Sequence, residues 1–272
     1  WITSRNPTIE GHVVREPHQA KAAQQQFSRQ SEYYAGSHQH RAGEGLEIVR
    51  EFVAKSPGGI LLDVGTGTGF TALGVRDLVT QVIATDISVG MLNEASKIFL
   101  EQQSRNISIA YAEAESLPFA SDSVDVVTSR QAAHHFYDLE VAIHESTRVL
   151  KQGGVMIITD PLAPDDSSVD EWMNDVEVRR DPTHVRDRTM REWLALLGTA
   201  GLVLEDHAIT KVYLEFDDWV QRSATVQSEI DTLRQDFTEA LPDVVKAFNV
   251  RQEYGSITFH WDVLTIRAVK KD

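Results

Sequence analysis

An apolar run that ends in an acid, followed by three glycines at alternate positions, is the stretch of this chain best suited to hold a ligand: Leu61-Leu62-Asp63-Val64-Gly65-Thr66-Gly67-Thr68-Gly69. Glycine lets a backbone adopt conformations and approach distances that a Cβ forbids. About twenty residues beyond Gly65, a second apolar run, Val82-Ile83-Ala84-Thr85, ends in Asp86. An acid at the end of a second strand can accept hydrogen bonds from both hydroxyls of a ribose. The set suits a ligand that carries an adenosine and a charged amino-acid tail. A dinucleotide competes for the same kind of loop, through a Gly-x-Gly-x-x-Gly fingerprint that seats a pyrophosphate on a helix N-terminus. Here the third glycine comes one residue early, and Phe70 stands where the fingerprint wants Gly or Ala. Asp63 adds a negative charge beside the loop, which disfavours a pyrophosphate and favours an ammonium. A tight strand-to-helix turn with no ligand is the plainer alternative.

The elements that must position these residues follow from apolar periodicity and turn signals. A helix is predicted from about Ala20 to Tyr34, stopped by Gly36, and another from Ala42 to Ala54, ended by the turn cluster Ser56-Pro57-Gly58-Gly59. Strands are predicted at Ile60–Val64, Gln81–Asp86, Ile107–Ala112, Val124–Ser129 and Gly154–Asp160, with helices at Gly69–Leu78, Val89–Gln102 and Leu139–Leu150. Such alternation implies a parallel sheet with helices on both faces. Ligands on such sheets bind beyond the carboxyl ends of the strands. Asp63, Asp86, Glu113, Arg130 and Asp160 all fall at or just past those ends. Residues 161–187 read as a long acid-rich connection. Thr189-Met190-Arg191-Glu192 reads as a capping box opening a helix that ends near Gly198 or Gly201. Leu202–Phe216 and Ser256–Val269 read as strands, with a helical insertion at 217–250 too long for a plain loop.

Bulk properties narrow the function classes. The chain has 272 residues, 42% hydrophobic, with a net charge of −15 and no cysteine. The acidic balance, with no Lys/Arg cluster, argues against nucleic acid and for a small-molecule partner. No run approaches the ~18 apolar residues of a membrane helix, so no membrane insertion is expected. The absence of thiols excludes a disulfide framework and fits a cytoplasmic setting. A homodimer is compatible with the chain, whose oligomeric state the sequence leaves open.

From about residue 25 to 160 the chain resembles the class I S-adenosylmethionine-dependent methyltransferases, in the group that includes the ubiquinone/menaquinone C-methyltransferases. Leu61–Gly69 is similar to that family's first motif, and Ala84-Thr85-Asp86-Ile87-Ser88 with Met91 to its second. Ala112-Glu113-Ala114-Glu115-Ser116-Leu117-Pro118-Phe119 resembles its Gly-Asp-Ala-Glu-x-Leu-Pro-Phe segment, and Arg148–Gly154 the approach to its fifth strand. The resemblance implies an α/β, Rossmann-like, mostly parallel seven-stranded sheet with helices on both faces and a helical cap. The polar, aperiodic start of the chain reads as a loose arm at 1–24, and the resemblance implies a methyltransferase domain at 25–272, with a cofactor-binding core at 42–160 and cap elements at 161–187 and 217–250. It implies S-adenosylmethionine as cofactor, S-adenosylhomocysteine as its product, and a small organic acceptor.

Position by position, the resemblance implies that Gly65, Thr66 and Gly67 contact the aminoacyl tail and that Asp63 helps hold its ammonium. Asp86 would take the ribose hydroxyls, with Ile87 or Met91 packed on the adenine. Glu113 would accept from the adenine amino group, where the family usually has Asp. The Ala114 amide would donate to the ring beside Glu115, and Arg130 would lie near the methionine part. Gln26-Phe27…Tyr34-Ala35-Gly36-Ser37…His40 and Asp181-Pro182-Thr183-His184-Val185-Arg186 are similar to a subgroup with largely unassigned substrates. The N-terminal and cap signatures of the quinone methyltransferases are absent.

Methyl transfer from a sulfonium is an in-line displacement that needs a base only when the acceptor must lose a proton. His134, His135, His184 and Tyr34 are the candidates, each with a purely structural alternative. No metal is expected, because no His-x-x-x-His or Cys/His spacing occurs and adjacent His134 and His135 would point apart. Trp193 and Trp261 read as core, and Tyr213, Phe216 and Trp219 as lining at the cap entrance. Two rival readings stay open: a nicotinamide-dependent oxidoreductase and a non-catalytic module that binds S-adenosylmethionine.

Overall fold

The computed structural model describes residues 24, 26, 27, 43–253 and 255–271. The expected arm at 1–24 and helix at Ala20–Tyr34, with Tyr34 and His40, lie largely or wholly outside that set. The elements run α1 (Glu44–Ala54), β1 (Ile60–Val64), α2 (Phe70–Val75), β2 (Gln81–Asp86), α3 (Val89–Glu101), β3 (Ile107–Tyr111) and β4 (Val124–Arg130). A short 3₁₀ turn (Ala133–His135), α4 (Leu139–Val149) and β5 (Leu150–Pro161) follow. Then come α5 (Ser167–Arg180), α6 (Met190–Thr199), β6 (Leu202–Glu215), α7 (Phe216–Arg222), α8 (Gln227–Thr238), α9 (Pro242–Phe248), β7 (Arg251–Glu253) and β8 (Ser256–Lys270).

The sheet order is β3-β2-β1-β4-β5-β8-β6, with β7 paired to β8. β1 through β5 pair in parallel, and β8 runs antiparallel between β5 and β6. The sheet thus has eight strands where seven were expected. The extra one is three residues long, turned back onto the start of β8, and too short for a periodic signal. The strand order reverses between β1 and β4, which opens a crevice at their carboxyl ends.

Period-two alternation explains how one sheet serves two helix layers. Leu61, Val126, Val155 and Ile157 face the layer built from α1, α2 and α3, packing with Phe52, Val75 and Phe99. Their neighbours Leu62, Val127, Met156 and Ile158 face the opposite layer, with Ile143 of α4 and Trp193 and Leu197 of α6. A third apolar cluster lies apart from both. Met173 and Val176 of α5, Trp219 of α7, Phe237 of α8 and Phe248 of α9 close over Leu214 of β6 and Phe259 and Trp261 of β8.

The capping box forms as its sequence predicts: Thr189 Oγ1 accepts from the Glu192 amide at 3.2 Å and Glu192 Oε2 from the Thr189 amide at 2.8 Å. The connection at 161–187, expected as part of a helical cap but with no helix bounds, holds the 14-residue α5. Its inward face carries Val169, Met173 and Val176, but also buried Asp170, Asn174 and Glu177. Those polar residues break the apolar stripe by which a helix is read.

Candidate active site

The loop after β1 turns on glycine. Gly65, Gly67 and Gly69 hold φ of 69°, 55° and 86°, the left-handed region that favours glycine. A Cβ on Gly65 would come within 2.7 Å of the Ala132 methyl, whereas one on Gly67 would meet no protein atom within 4 Å, leaving bare backbone beside the cleft. Asp63 sits beneath this loop, 1% exposed. Its two oxygens accept from Thr66 Oγ1 at 2.6 Å and Thr128 Oγ1 at 2.7 Å, tying the loop to β4. Burial pushes its pKa above the usual carboxylate range, against those two hydroxyls.

Asp86 closes β2. Its Oδ2 accepts from the Gly67 amide and its Oδ1 from the Ser88 amide, both at 2.8 Å. Each carboxylate oxygen keeps a lone pair for a further donor. Burial pushes its pKa up to about 6 despite these amides. Ser88 caps α3 by accepting from the Met91 amide at 3.2 Å, which holds Met91 over the same cleft.

The cleft encloses about 960 Å³. One end is formed by Gly65, Thr66, Gly67 and Asp86, the other by Ile87, Met91, Ala112, Ala114 and Glu115. Burial pushes Glu115 up to about 7, against the amide of Asp138 that donates to it at 3.2 Å. Arg130 ends β4, its Nε donating to Thr71 Oγ1 at 2.9 Å.

A second cavity of about 1450 Å³ adjoins the first. Phe27, Arg130, Gln131 and His135 line both. Gln131 takes φ 56°, a conformation rare for a side-chain-bearing residue, with its amide fixed to Thr159 O at 2.7 Å. The farther wall carries Trp219, Trp261, Tyr213, Lys211, Arg180 and Arg222, mixing aromatic and charged groups.

Three imidazoles converge there. His134 and His135 ring centres lie 4.1 Å apart, and His184 lies 5.3 Å from His134 and 6.2 Å from His135. His134 Nδ1 pairs with Asp160 Oδ1 at 2.8 Å. Burial pulls its pKa down, but Asp160, with Asp187 and Glu177 farther off, outweighs that and holds it at about 9. His135 is driven the other way, to about 3, by burial and by His134. Its Nδ1 lies 3.2 Å from the Thr183 carbonyl, which can only accept. The proton therefore sits on Nδ1, and Nε2 keeps its lone pair.

A family model described as a methyltransferase domain matches residues 62–158. Over 247 residues the chain is 31% identical to a Bacillus subtilis protein named uncharacterized methyltransferase YcgJ, spanning 90% of this chain and 98% of that one. The chain belongs to the class I S-adenosylmethionine-dependent methyltransferases. The crystal structure of YcgJ superposes with a TM-score of 0.81 at 30% identity, over 84% of this methyltransferase and 98% of that chain. An uncharacterized Escherichia coli protein, YafE, is 34% identical over 206 residues, 76% of this chain and 98% of its own. The Syntrophotalea carbinolica enzyme named ubiquinone/menaquinone biosynthesis C-methyltransferase UbiE is 33% identical over 121 residues, 44% of this chain and 50% of its own.

Most residues singled out from sequence converge on the two cavities of this methyltransferase. Gly65, Thr66, Gly67, Asp86, Ile87, Met91, Ala114, Glu115 and Arg130 line the cleft. His134, His135 and His184 line the second cavity. Asp63 and Glu113 line neither: Asp63 braces the loop from below, and Glu113 bridges to Ser116 through its backbone, while Glu115 lines the cleft. Phe216 is fully buried in the third apolar cluster, and Trp261, read as core, reaches the second cavity while donating to Glu177 Oε1 at 2.6 Å. Adjacency did not send His134 and His135 apart, because the 3₁₀ turn folds both rings to one side. Sequence reasoning passed over Gln131, Glu177, Asp181 and Asp187 as site residues. Asp181 lay within a motif already noted, but nothing in sequence ties Asp187 or Glu177 to a histidine some forty to fifty positions earlier.

Proposed function

We propose that the chain is an S-adenosylmethionine-dependent methyltransferase acting on a small, polar organic acceptor. The observation that carries this reading is the shared wall: Arg130, Gln131 and His135 border the cofactor cleft and the second cavity at once. The cofactor supplies an electrophilic methyl on a sulfonium. When bound it would pass that methyl to the acceptor's nucleophilic atom, with the carbon–sulfur electron pair left on sulfur.

The residues of the cleft fit that cofactor. Asp86 has two lone pairs for ribose hydroxyls, and Ile87 and Met91 offer apolar surface to an adenine. Glu115, rather than Glu113, is placed to accept from the adenine amino group. Arg130 suits the carboxylate of the amino-acid tail, beside the bare backbone of Gly65 and Gly67. On the acceptor side, His135 holds a neutral imidazole at the junction and orients the nucleophile by accepting its proton or hydrogen bond. A pKa near 3 makes it a weak base, so it suits an acceptor that is already acidic. The charged lining of the second cavity favours a polar acceptor over the long apolar tail of a quinone. The likeness to the UbiE enzyme covers 44% of the chain, which limits what it says about the acceptor.

Calorimetric titration of S-adenosylmethionine and S-adenosylhomocysteine into the intact chain and Asp86→Ala tests the cofactor assignment. Micromolar binding that the variant loses supports it. Absence of binding to the intact chain sinks it, and turnover with a nicotinamide cofactor would replace it.

A further inference from the structure

Asp187 is 1% exposed, and among the described residues neither of its carboxylate oxygens has a hydrogen-bond partner. Nor does Nε2 of His184, which lies 3.8 Å from Asp187 Oδ2. Buried polar groups are almost always paired, and an unpaired buried carboxylate is among the costlier exceptions. The fold aims Asp187 deliberately. Asn174 of α5 clamps its backbone from both sides, accepting from the Asp187 amide at 2.7 Å and donating to its carbonyl at 3.3 Å. One ligand atom each from His134, Asp160 and Asp187 lies within 4.8 Å of the others.

We propose that His134, Asp160, Asp187 and His184 form a binding site for one divalent transition-metal ion at the inner end of the acceptor cavity. The donor set is two imidazoles and two carboxylates. Imidazoles disfavour Mg²⁺ and Ca²⁺, and the lack of sulfur disfavours Cu⁺, which leaves the divalent first-row ions from Mn²⁺ to Zn²⁺. Ligand atoms around such an ion stand roughly 3–4 Å apart, given bonds of about 2.0–2.2 Å, so a small inward movement completes the shell. Two carboxylates would neutralise the ion, and the ion would satisfy both Asp187 and His184. The four residues come from the 3₁₀ turn, the end of β5 and the loop after α5, which explains why no local spacing announces them. His134, His184 and Asp187 line the cavity while Asp160 lies behind, so expansion to a fifth coordination position would face an oxygen of the acceptor. The site stands on its own residues, so it survives even if the cofactor assignment fails.

The test is equilibrium dialysis of the intact chain against Zn²⁺, with metal counted per protein, and titration with Co²⁺ followed by its visible ligand-field absorption. The intact chain should take up one equivalent, and Asp187→Asn should weaken it roughly 100-fold. Asn matches Asp in shape, and the side chain makes no hydrogen bond to lose. Asp160→Asn is the second variant and should weaken uptake similarly, with both variants checked for folding by circular dichroism. Uptake unchanged in both variants means adventitious binding elsewhere and overturns the proposal. So does no uptake by the intact chain, in which case the cluster is an imidazolium of His134 held between Asp160 and Asp187.

Discussion

The two cavities sit side by side and are built on opposite plans. The cofactor cleft is assembled from short consecutive segments at the ends of β1, β2 and β4 and just past β3, and each segment carries two or more lining residues. The second cavity draws from α1, β4, the 3₁₀ turn, β5, α5, the loop after it, α7, β6 and β8, with runs only at 43–46 and 210–214 and otherwise one to three residues from each. The first plan keeps the ligand's contacts inside a pattern that a parallel sheet imposes. The second leaves each contact free to change without disturbing the rest. A ligand common to a whole family belongs in the first kind of cavity, and one that differs between members belongs in the second.

That contrast can be broken most forcefully at the cap. Phe237 is fully buried among Trp172, Phe216, Trp219 and Phe259 and lines neither cavity. Phe237→Ala should cost about 3–5 kcal/mol of stability, measured by denaturant unfolding, while cofactor affinity stays within a few-fold. An equal loss of cofactor affinity would show that the two regions act as one.

Asp86→Ala is the complementary lesion, lowering cofactor affinity by roughly 100-fold, or about 2–3 kcal/mol, with little effect on acceptor-side variants. The pH dependence sharpens it. Ribose hydroxyls donate to the ionised carboxylate, so below a pKa of about 6 a proton competes with the cofactor. Affinity should fall by up to roughly tenfold per pH unit below that point. The sign for the apoprotein is opposite. A folded pKa raised above the unfolded value gives stability that is present at low pH and lost as pH rises through about 6. The thermal shift produced by the cofactor should therefore grow from pH 5 to 7 in the intact chain and less steeply in Asp86→Asn, where Glu115, pushed up to about 7, still titrates at the cleft. A flat profile in the intact chain would remove Asp86 from the ribose site.

The smallest effect separates two neighbours. Glu115→Gln should weaken cofactor binding by about 1 kcal/mol, while Glu113→Gln should leave it within experimental error. The reverse result would restore the assignment that the sequence motif favours.

These differences trace how far the residues could be read in advance. β1 and β2 appear at the bounds that apolar runs and terminal acids indicated, because strands buried on both faces have little freedom in composition. The glycine loop was readable because left-handed φ values at Gly65 and Gly67 exclude most other residues. Motif position favoured Glu113 over Glu115, whereas Glu115 lines the cleft and Glu113 does not, a choice of facing that local sequence does not record. The bounds of α5 were hidden by the polar residues on its buried face, whose partners lie elsewhere in the chain: Glu177 accepts from both Trp219 and Trp261.

By itself the sequence determined the α/β layering, the strand ends, and the loop and the acid that border the first cavity, because local periodicity and backbone sterics act within a few residues. Only the tertiary structure decided that His134, Asp160, His184 and Asp187 meet at the inner end of the second cavity. Their proximity is set by the β4–β5 pairing and by the docking of the loop after α5, where the Val185 amide donates to the His134 carbonyl at 2.8 Å. Contacts of that kind depend on how distant elements pack, and no spacing along the chain records them.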